Sequence, residues 1–360
     1  MSGTVSGSVS GTGASGVDGA RIGLVGYGDA GRGIHARLLR EAGLDVAVVA
    51  TASPQRVAAA REELPGAAVV PDLPALLDAR PDAVVLASPT GAHAEQVLAC
   101  VAAGVPVVCD KPLAVDAPTA ASLVAAAREA GVPLTVFQNR RWDDEQRTLA
   151  AVLDQDALGP VHRFERRWER WRPVPKDRWR ENAPPQQGGG LLLDLGSHLV
   201  DSAVQLFGPV TAVGAEIAAR TTVAEDDVFL SCVHAGGVRS HLWAASLVAA
   251  PGPRTRVLGA RGAYLATGFE GVPDATAVPS TAPPGCTGWV FGGEEPVPVP
   301  TAPGAHADFY RLLGAALREG TGQAGMPVQP EDAVHVLAVL DAARLSAEQG
   351  RVVPVAPSAP

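Results

Sequence analysis

An α/β fold is predicted, with a doubly wound parallel sheet in the N-terminal part and a second α/β unit built on a largely antiparallel sheet. Three stretches of the sequence carry that prediction. In residues 21–39 a short apolar strand, a glycine-rich turn and a helix follow one another directly. From residue 45 to residue 137, β-branched apolar runs alternate with alanine-rich helical stretches, the pattern of parallel strands joined by crossovers. Beyond residue 161 the apolar period shortens to two and turn signals such as Gly236-Gly237 intervene, which points to meandering antiparallel strands.

A chain of 360 residues can bury two cores, so two domains are expected: 21–140 for the parallel unit and 141–355 for the second, after a Gly/Ser-rich flexible tail over 1–20. Hydrophobic residues make up 47% and charged residues 19%, a soluble globular balance. The 4% aromatic share means an aliphatic core. The net charge of -9 argues against a nucleic-acid partner, whose phosphates call for basic patches. A small-molecule ligand fits better. No apolar run is long enough for a membrane span, and residues 1–20 lack the basic and apolar regions of a signal peptide. Cys100, Cys109, Cys232 and Cys286 show neither C-x-x-C pairs nor zinc-type spacing and read as small buried hydrophobes. A cytoplasmic location is expected.

In chain order, Gly26, Gly28 and Gly31 have the G-x-G-x-x-G spacing of a dinucleotide-binding turn. The helix that follows presents its N-terminal N–H groups and positive dipole end to an anion. The strand at 45–50 ends at Thr51, Ser53 and Arg56, where a Rossmann domain selecting NAD carries an acid for the ribose 2′-hydroxyl. Two hydroxyls and a guanidinium can instead receive a 2′-phosphate, which favours NADP over NAD. The competing reading makes Arg56 a solvated residue in the first turn of a helix starting at Pro54. A strand at 82–87 is followed by Ser88, Pro89 and Thr90 and a helix over 92–103. A strand at 105–109 ends in Asp110, Lys111 and Pro112, and then come a helix at 118–130 and a strand at 132–137. Both loops fall at the carboxyl edge of the sheet, where ligands of such folds bind, so Lys111 is either a functional residue or a solvated loop lysine.

A helix at 143–153 leads into 161–171, where Phe164, Arg166 and Trp168 alternate with Arg163, Glu165 and Arg167. That alternation describes a two-faced strand whose guanidiniums stack on indoles. Further strands are expected at 210–220, 227–234, 238–247 and 255–258, loops over 267–303, and helices at 309–318 and 331–349, the last capped by Gly350. The final residues read as a tail.

The second anchor is Gly188-Gly189-Gly190 followed by Asp194, His198 and Asp201, which share one stripe if helical. The triple glycine offers a backbone that a ligand can approach. Histidine is suited to accept a hydroxyl proton near neutral pH, and a carboxylate can orient it. A structural Asp/His pair and a metal site are the alternatives, the latter without a third ligand of suitable spacing.

These motifs together resemble the Gfo/Idh/MocA family of NAD(P)-dependent oxidoreductases over nearly the whole chain. The resemblance rests on Gly26 to Gly31 with Tyr27, Asp29, Ala30 and His35, on Ser88-Pro89-Thr90 with His93, on Asp110-Lys111-Pro112, on Gln138 with Arg141 and Trp142, and on Gly190 with Asp194 and His198. The subgroup of NADP-dependent scyllo-inositol dehydrogenases is the most similar, through Arg141-Trp142-Asp143, Trp179-Arg180-Glu181, residues 194–201 and Arg254. Asp110 stands where the family usually has glutamate, and residues 267–274 depart from the subgroup.

The resemblance implies a catalytic trio: Lys111 and His198 act on the substrate oxygen, and Asp194 supports the histidine. It implies that Gly26, Tyr27, Gly28, Asp29, Ala30, Gly31, Thr51, Ser53, Arg56, Ser88, Pro89, Thr90, His93, Asp110, Lys111 and Gln138 surround NADP or NAD, with no metal. The substrate is then a cyclitol or sugar with a secondary alcohol. The C-terminal sheet keeps one open face, to which the 161–171 strand belongs, and forms a homodimer or homotetramer through it. A regulator that binds NAD(P) without turnover, or an enzyme recycling its cofactor in sugar–sugar exchange or elimination, is the alternative.

Overall fold

The computed structural model describes residues 19–268 and 282–356. The expected tails, apart from residues at their inner ends, and most of segment 267–274 lie outside the described residues. β1 (Arg21–Val25), β2 (Asp45–Ala50), β3 (Ala68–Val70), β4 (Ala83–Leu86), β5 (Val107–Cys109) and β6 (Leu134–Val136) form a parallel sheet in the order β3-β2-β1-β4-β5-β6. Its central strands are buried on both faces, as parallel strands under crossover helices must be, which is why they read as continuous apolar runs. The crossovers are α1 (Ala36–Glu41), α2 (Pro54–Glu63), α3 (Leu73–Asp78), α4 (His93–Ala102) and α5 (Ala117–Glu129). α3 and α5 start on aspartate caps, Asp72 and Asp116, whose side chains accept from the N–H of Ala75 and Thr119. Strand order reverses between β1 and β4, so the ligand crevice of this topology opens beyond their carboxyl ends.

The second sheet is built from β7 (Val161–Glu169), β8 (Val210–Ala218), β9 (Asp227–His234), β10 (Arg239–Ala245), β11 (Thr255–Gly259), β12 (Ala263–Ala266), β13 (Cys286–Phe291), β14 (Val297–Pro300) and β15 (Val353–Pro354). Its order is β14-β13-β12-β11-β7-β10-β9-β8-β15, and all neighbours are antiparallel except β7 and β10. Helices α6 (Asp144–Asp154), α8 (Ser197–Phe207) and α10 (Pro330–Gln349) cover one face, and a short α7 (Trp179–Asn182) precedes the triple glycine.

The 267–303 stretch, read as loops, contains β13 and β14; Pro298 and Pro300 hid the signal, yet prolines are tolerated on β14 because it is an edge strand. The 161–171 strand is two-faced, as its alternation predicts: Phe164, Arg166 and Trp168 are buried under α6 and α8. Phe164 meets Phe207, Arg166 donates to Gln146 Oε1, and Trp168 stacks on His198. The open face instead carries Arg167, whose guanidinium lies 3.8 Å over Trp243, with Phe229 packed beside that indole.

α9 (Asp308–Glu319) returns to the first sheet. Phe309, Tyr310 and Leu313 fill the same core as Ile22, Leu24 and Leu39. The four cysteines are free, and three of them are buried.

Candidate active site

The glycine-rich turn closes because two side chains are missing. A Cβ at Gly31 would lie 2.0 Å from the Gly26 carbonyl oxygen, and Gly26, at φ +90°, has no room against Ala87. The atoms nearest a Cβ at Gly28 would be those of the Arg56 guanidinium, at 3.6 Å, so an exposed Arg56 lies over the open part of the turn. Thr51 is buried at the end of β2, and Ser53, which precedes Pro54 at the start of α2, hydrogen-bonds Gln55. Asp29 is exposed and Ala30 half-buried.

Two of the residues expected around the cofactor have side chains engaged within the protein. Tyr27 is buried and donates its hydroxyl to Glu63, which also accepts from Arg32; burial and the Glu63 charge push its pKa up to about 12. His93 is buried with Nδ1 2.9 Å from the Pro112 carbonyl and Nε2 3.0 Å from that of Ser88. It lies between the Ser88-Pro89-Thr90 and Asp110-Lys111-Pro112 loops; burial lowers its pKa, and the neutral ring donates its one N–H to one of the two carbonyls.

Gln138, just after β6, is buried and its Oε1 has no hydrogen-bond partner among the described residues. That orphaned acceptor and the bare backbone at Gly26 to Gly31 fit a dinucleotide carrying an amide-bearing ring, since buried acceptors ordinarily find a donor.

Lys111 follows β5, and the peptide bond to Pro112 is cis. Its backbone N–H donates to Asp110 Oδ1, and Asp110 Oδ2 lies 3.6 Å from Nε2 of His35, a fully buried ring bonded to the Tyr310 hydroxyl. Burial raises the Asp110 pKa, but His35 and Lys111 outweigh it and the net shift is downward. The Lys111 ammonium donates to the Asp194 carbonyl at 2.7 Å and to its Oδ1 at 3.0 Å; Arg180 Nε lies 3.3 Å from the same oxygen. Burial alone would raise the Asp194 carboxyl, yet the Lys111 and Arg180 charges hold it far below the usual carboxylate range. It is a permanent anion.

His198 sits in the first turn of α8 with its ring stacked on Trp168, centroids 5.9 Å apart. Burial, followed by the charges of Lys111 and Arg140, drives its pKa well below the ordinary histidine value, against the opposing pull of Asp194. The ring is neutral at neutral pH, and its Nδ1 has no hydrogen-bond partner among the described residues.

The expected Asp194-His198-Asp201 stripe therefore divides. Asp194 lies in a π-helical turn, Leu192–Gly196, and bonds Lys111 and Arg180, so it acts on His198 through charge. Asp201 is buried and receives two nitrogens of Arg141, which also reaches Asp332. The triple glycine serves packing: a Cβ at Gly189 would sit 1.9 Å from the Ala183 oxygen, and one at Gly190 would strike Glu225. Among the described residues no group of three His, Cys, Asp or Glu is arranged to hold a metal ion.

Arg180 and Trp168 were not assigned to the site from sequence. Their signals were present: Trp168 in the period-two face of β7, Arg180 in the Trp179-Arg180-Glu181 motif. Only the tertiary packing brings Arg180 of α7 to Asp194 and Trp168 of β7 to His198.

Two family profiles match the chain: "Oxidoreductase family, NAD-binding Rossmann fold" over residues 20–138, and "Oxidoreductase family, C-terminal alpha/beta domain" over 150–355. The scyllo-inositol 2-dehydrogenase (NADP(+)) IolW of Bacillus subtilis is 30% identical over 353 residues, 94% of this chain and 96% of that protein. The structure of YvaA from Bacillus subtilis superposes with a TM-score of 0.83 at 28% identity, covering 95% of this chain and 99% of that one. The WlbA dehydrogenase of Bordetella pertussis, solved with NADH and UDP-GlcNAcA, gives 0.73 at 26% identity, over 94% and 99%.

Proposed function

The chain belongs to the Gfo/Idh/MocA oxidoreductase family, and from that premise we propose that it is an NADP-preferring dehydrogenase of a secondary alcohol on a cyclitol or sugar, or a reductase in the opposite direction. One observation carries the reading. A neutral histidine, a lysine and a permanent carboxylate converge beside a dinucleotide-type turn, a combination with no use in a protein that only binds. A bound nicotinamide would supply the acceptor for the hydride leaving the alcohol carbon.

The chain's own residues have complementary tasks. His198, neutral because of burial and neighbouring cations, accepts the hydroxyl proton. Lys111 has three donors and uses two on Asp194, so the third is available to the substrate oxygen. Asp194, clamped between Lys111 and Arg180, fixes the ammonium and favours the proton arriving on His198. Arg56, lying over Gly28 with no acid at Thr51 or Ser53, supports a 2′-phosphate. Copies of the chain associate through the open face around Trp243 and Arg167.

The test is a screen of inositols, hexoses and their keto forms with NADP and NAD, on the native protein and Arg56→Ala. Turnover is expected with NADP favoured, and Arg56→Ala should weaken NADP binding about tenfold or more while hardly touching NAD, the value of a charge-assisted hydrogen bond. Equal losses for both cofactors would remove Arg56 from the 2′-phosphate, and absence of turnover on every alcohol and ketone would remove the dehydrogenase.

A further inference from the structure

Beside the Lys111, Asp194 and His198 cluster, the segment after β7 lines a narrow cleft with Arg170, Arg172, Arg178 and Arg180. The carboxylates on the same walls are already engaged. Glu181 pairs with Arg178, Asp194 with Lys111 and Arg180, Glu225 with Arg344, and Asp226 accepts from Thr221. Among the described residues, Arg170 and Arg172 have no side-chain hydrogen bond or ion pair. Arg170 lies 5.4 Å from the centre of the Trp168 ring, and both residues are half-buried. Burial first, then the charge of Arg172, lowers the proton affinity of Arg170, while Asp194 offsets part of that. Two adjacent like charges are thus held on the wall of a cleft next to the reacting groups, with no carboxylate bonded to either.

We propose that the substrate carries a carboxylate or phosphate that Arg170 and Arg172 bind while its reacting hydroxyl lies at Lys111 and His198. The proposal rests on the dehydrogenase reading only in taking that cluster as the reacting end. Arginine's planar fork pairs with either anion through two parallel hydrogen bonds, and a half-buried guanidinium gains more from such a pair than an exposed one. A neutral polyol would leave the two charges facing each other. The cofactor's phosphates are a less suitable source of the anion. They belong at the Gly26 to Gly31 turn, and the cleft arginine that feels the charge of Asp29 in that turn is Arg178.

The experiment is calorimetric titration of the NADP-loaded protein with glucuronate, glucose 6-phosphate, glucose, myo-inositol 1-phosphate and myo-inositol. The titrations are repeated on Arg170→Gln, Arg172→Gln and the double variant, each with a melting curve and an NADP titration. The acids are expected to bind at least about tenfold more tightly than their neutral counterparts, and the double variant should erase that ratio. In the native protein the ratio should also shrink as salt rises, a readout that needs no variant. Glucuronate against the phosphates tells carboxylate from phosphate recognition. Equal binding of acids and neutral polyols overturns the proposal, as does a preference the double variant keeps or one indifferent to salt. A loss confined to NADP affinity also overturns it and assigns the arginines to the cofactor. Turnover is followed on the same compounds: acids that bind through Arg170 and Arg172 but are never oxidised would remove the dehydrogenase reading and leave the anion site standing.

Discussion

Lys111 and His198 show how environment turns ordinary side chains into a matched pair. The histidine is buried against Trp168 and flanked by Lys111 and Arg140, so it resists protonation; the lysine is anchored by Asp194, which Lys111 and Arg180 keep ionised. His198→Ala and Lys111→Ala should each cost about 10² to 10⁴ in turnover, with the NADP titration intact. The double variant should lose far less than the product of the two, because groups serving one transition state are not additive. Multiplicative losses would break the pair into independent contributions. The pH dependence has a definite sign. As the proposed base His198 would work unprotonated, and its folded pKa lies below the usual histidine value of about 6.5, so oxidation should hold its rate down through that pH and fall only in more acid solution. His198→Ala should abolish that acid limb. A limb centred near or above the ordinary histidine value would contradict a buried, cation-flanked base.

At the scale of elements, the turn between β1 and α1 tolerates no side chain at its crossing point. Gly31→Ala would force a methyl group to within 2.0 Å of the Gly26 oxygen, backbone against backbone, and neither can retreat without opening the turn. Loss of NADP binding and about 1–3 kcal/mol of stability are expected, read by fluorescence titration and thermal unfolding. An unchanged titration would show that the phosphates bind elsewhere. The Gly188 to Gly190 run resembles that turn in composition but differs in purpose, its missing side chains making room for Ala183 and Glu225.

The whole molecule joins two sheets through shared residues. α9 lends Phe309 and Tyr310 to the core of the first sheet, and the Tyr310 hydroxyl meets His35 beneath Asp110, so the second half of the chain supports the loop that carries Lys111. The second sheet leaves Arg167, Phe229 and Trp243 on a partly exposed face. If copies pair there, Trp243→Glu puts a carboxylate into an apolar contact and should shift sedimentation of the native oligomer towards the monomer. A native chain that sediments as a monomer, or an oligomer indifferent to the change, would move the interface off this face.

The sequence by itself determined the strand and helix alternation, the glycine turn, the absence of an acid after β2, and Lys111, Asp194 and His198 as the residues to watch. Each is a local pattern, set by steric limits or by side-chain chemistry at a fixed spacing. Only the tertiary structure decided their partners. Whether Asp194 bonds His198 or Lys111, whether Asp201 joins the site or answers Arg141, and whether Trp168 faces solvent or the histidine depend on how α8 packs on β7 and on the loop after β5. The same holds for β13, which exists because β12 offers an edge to pair with, and for β14, whose prolines conceal a strand that pairs in turn with β13. These contacts join residues tens of positions apart, and no local period records them.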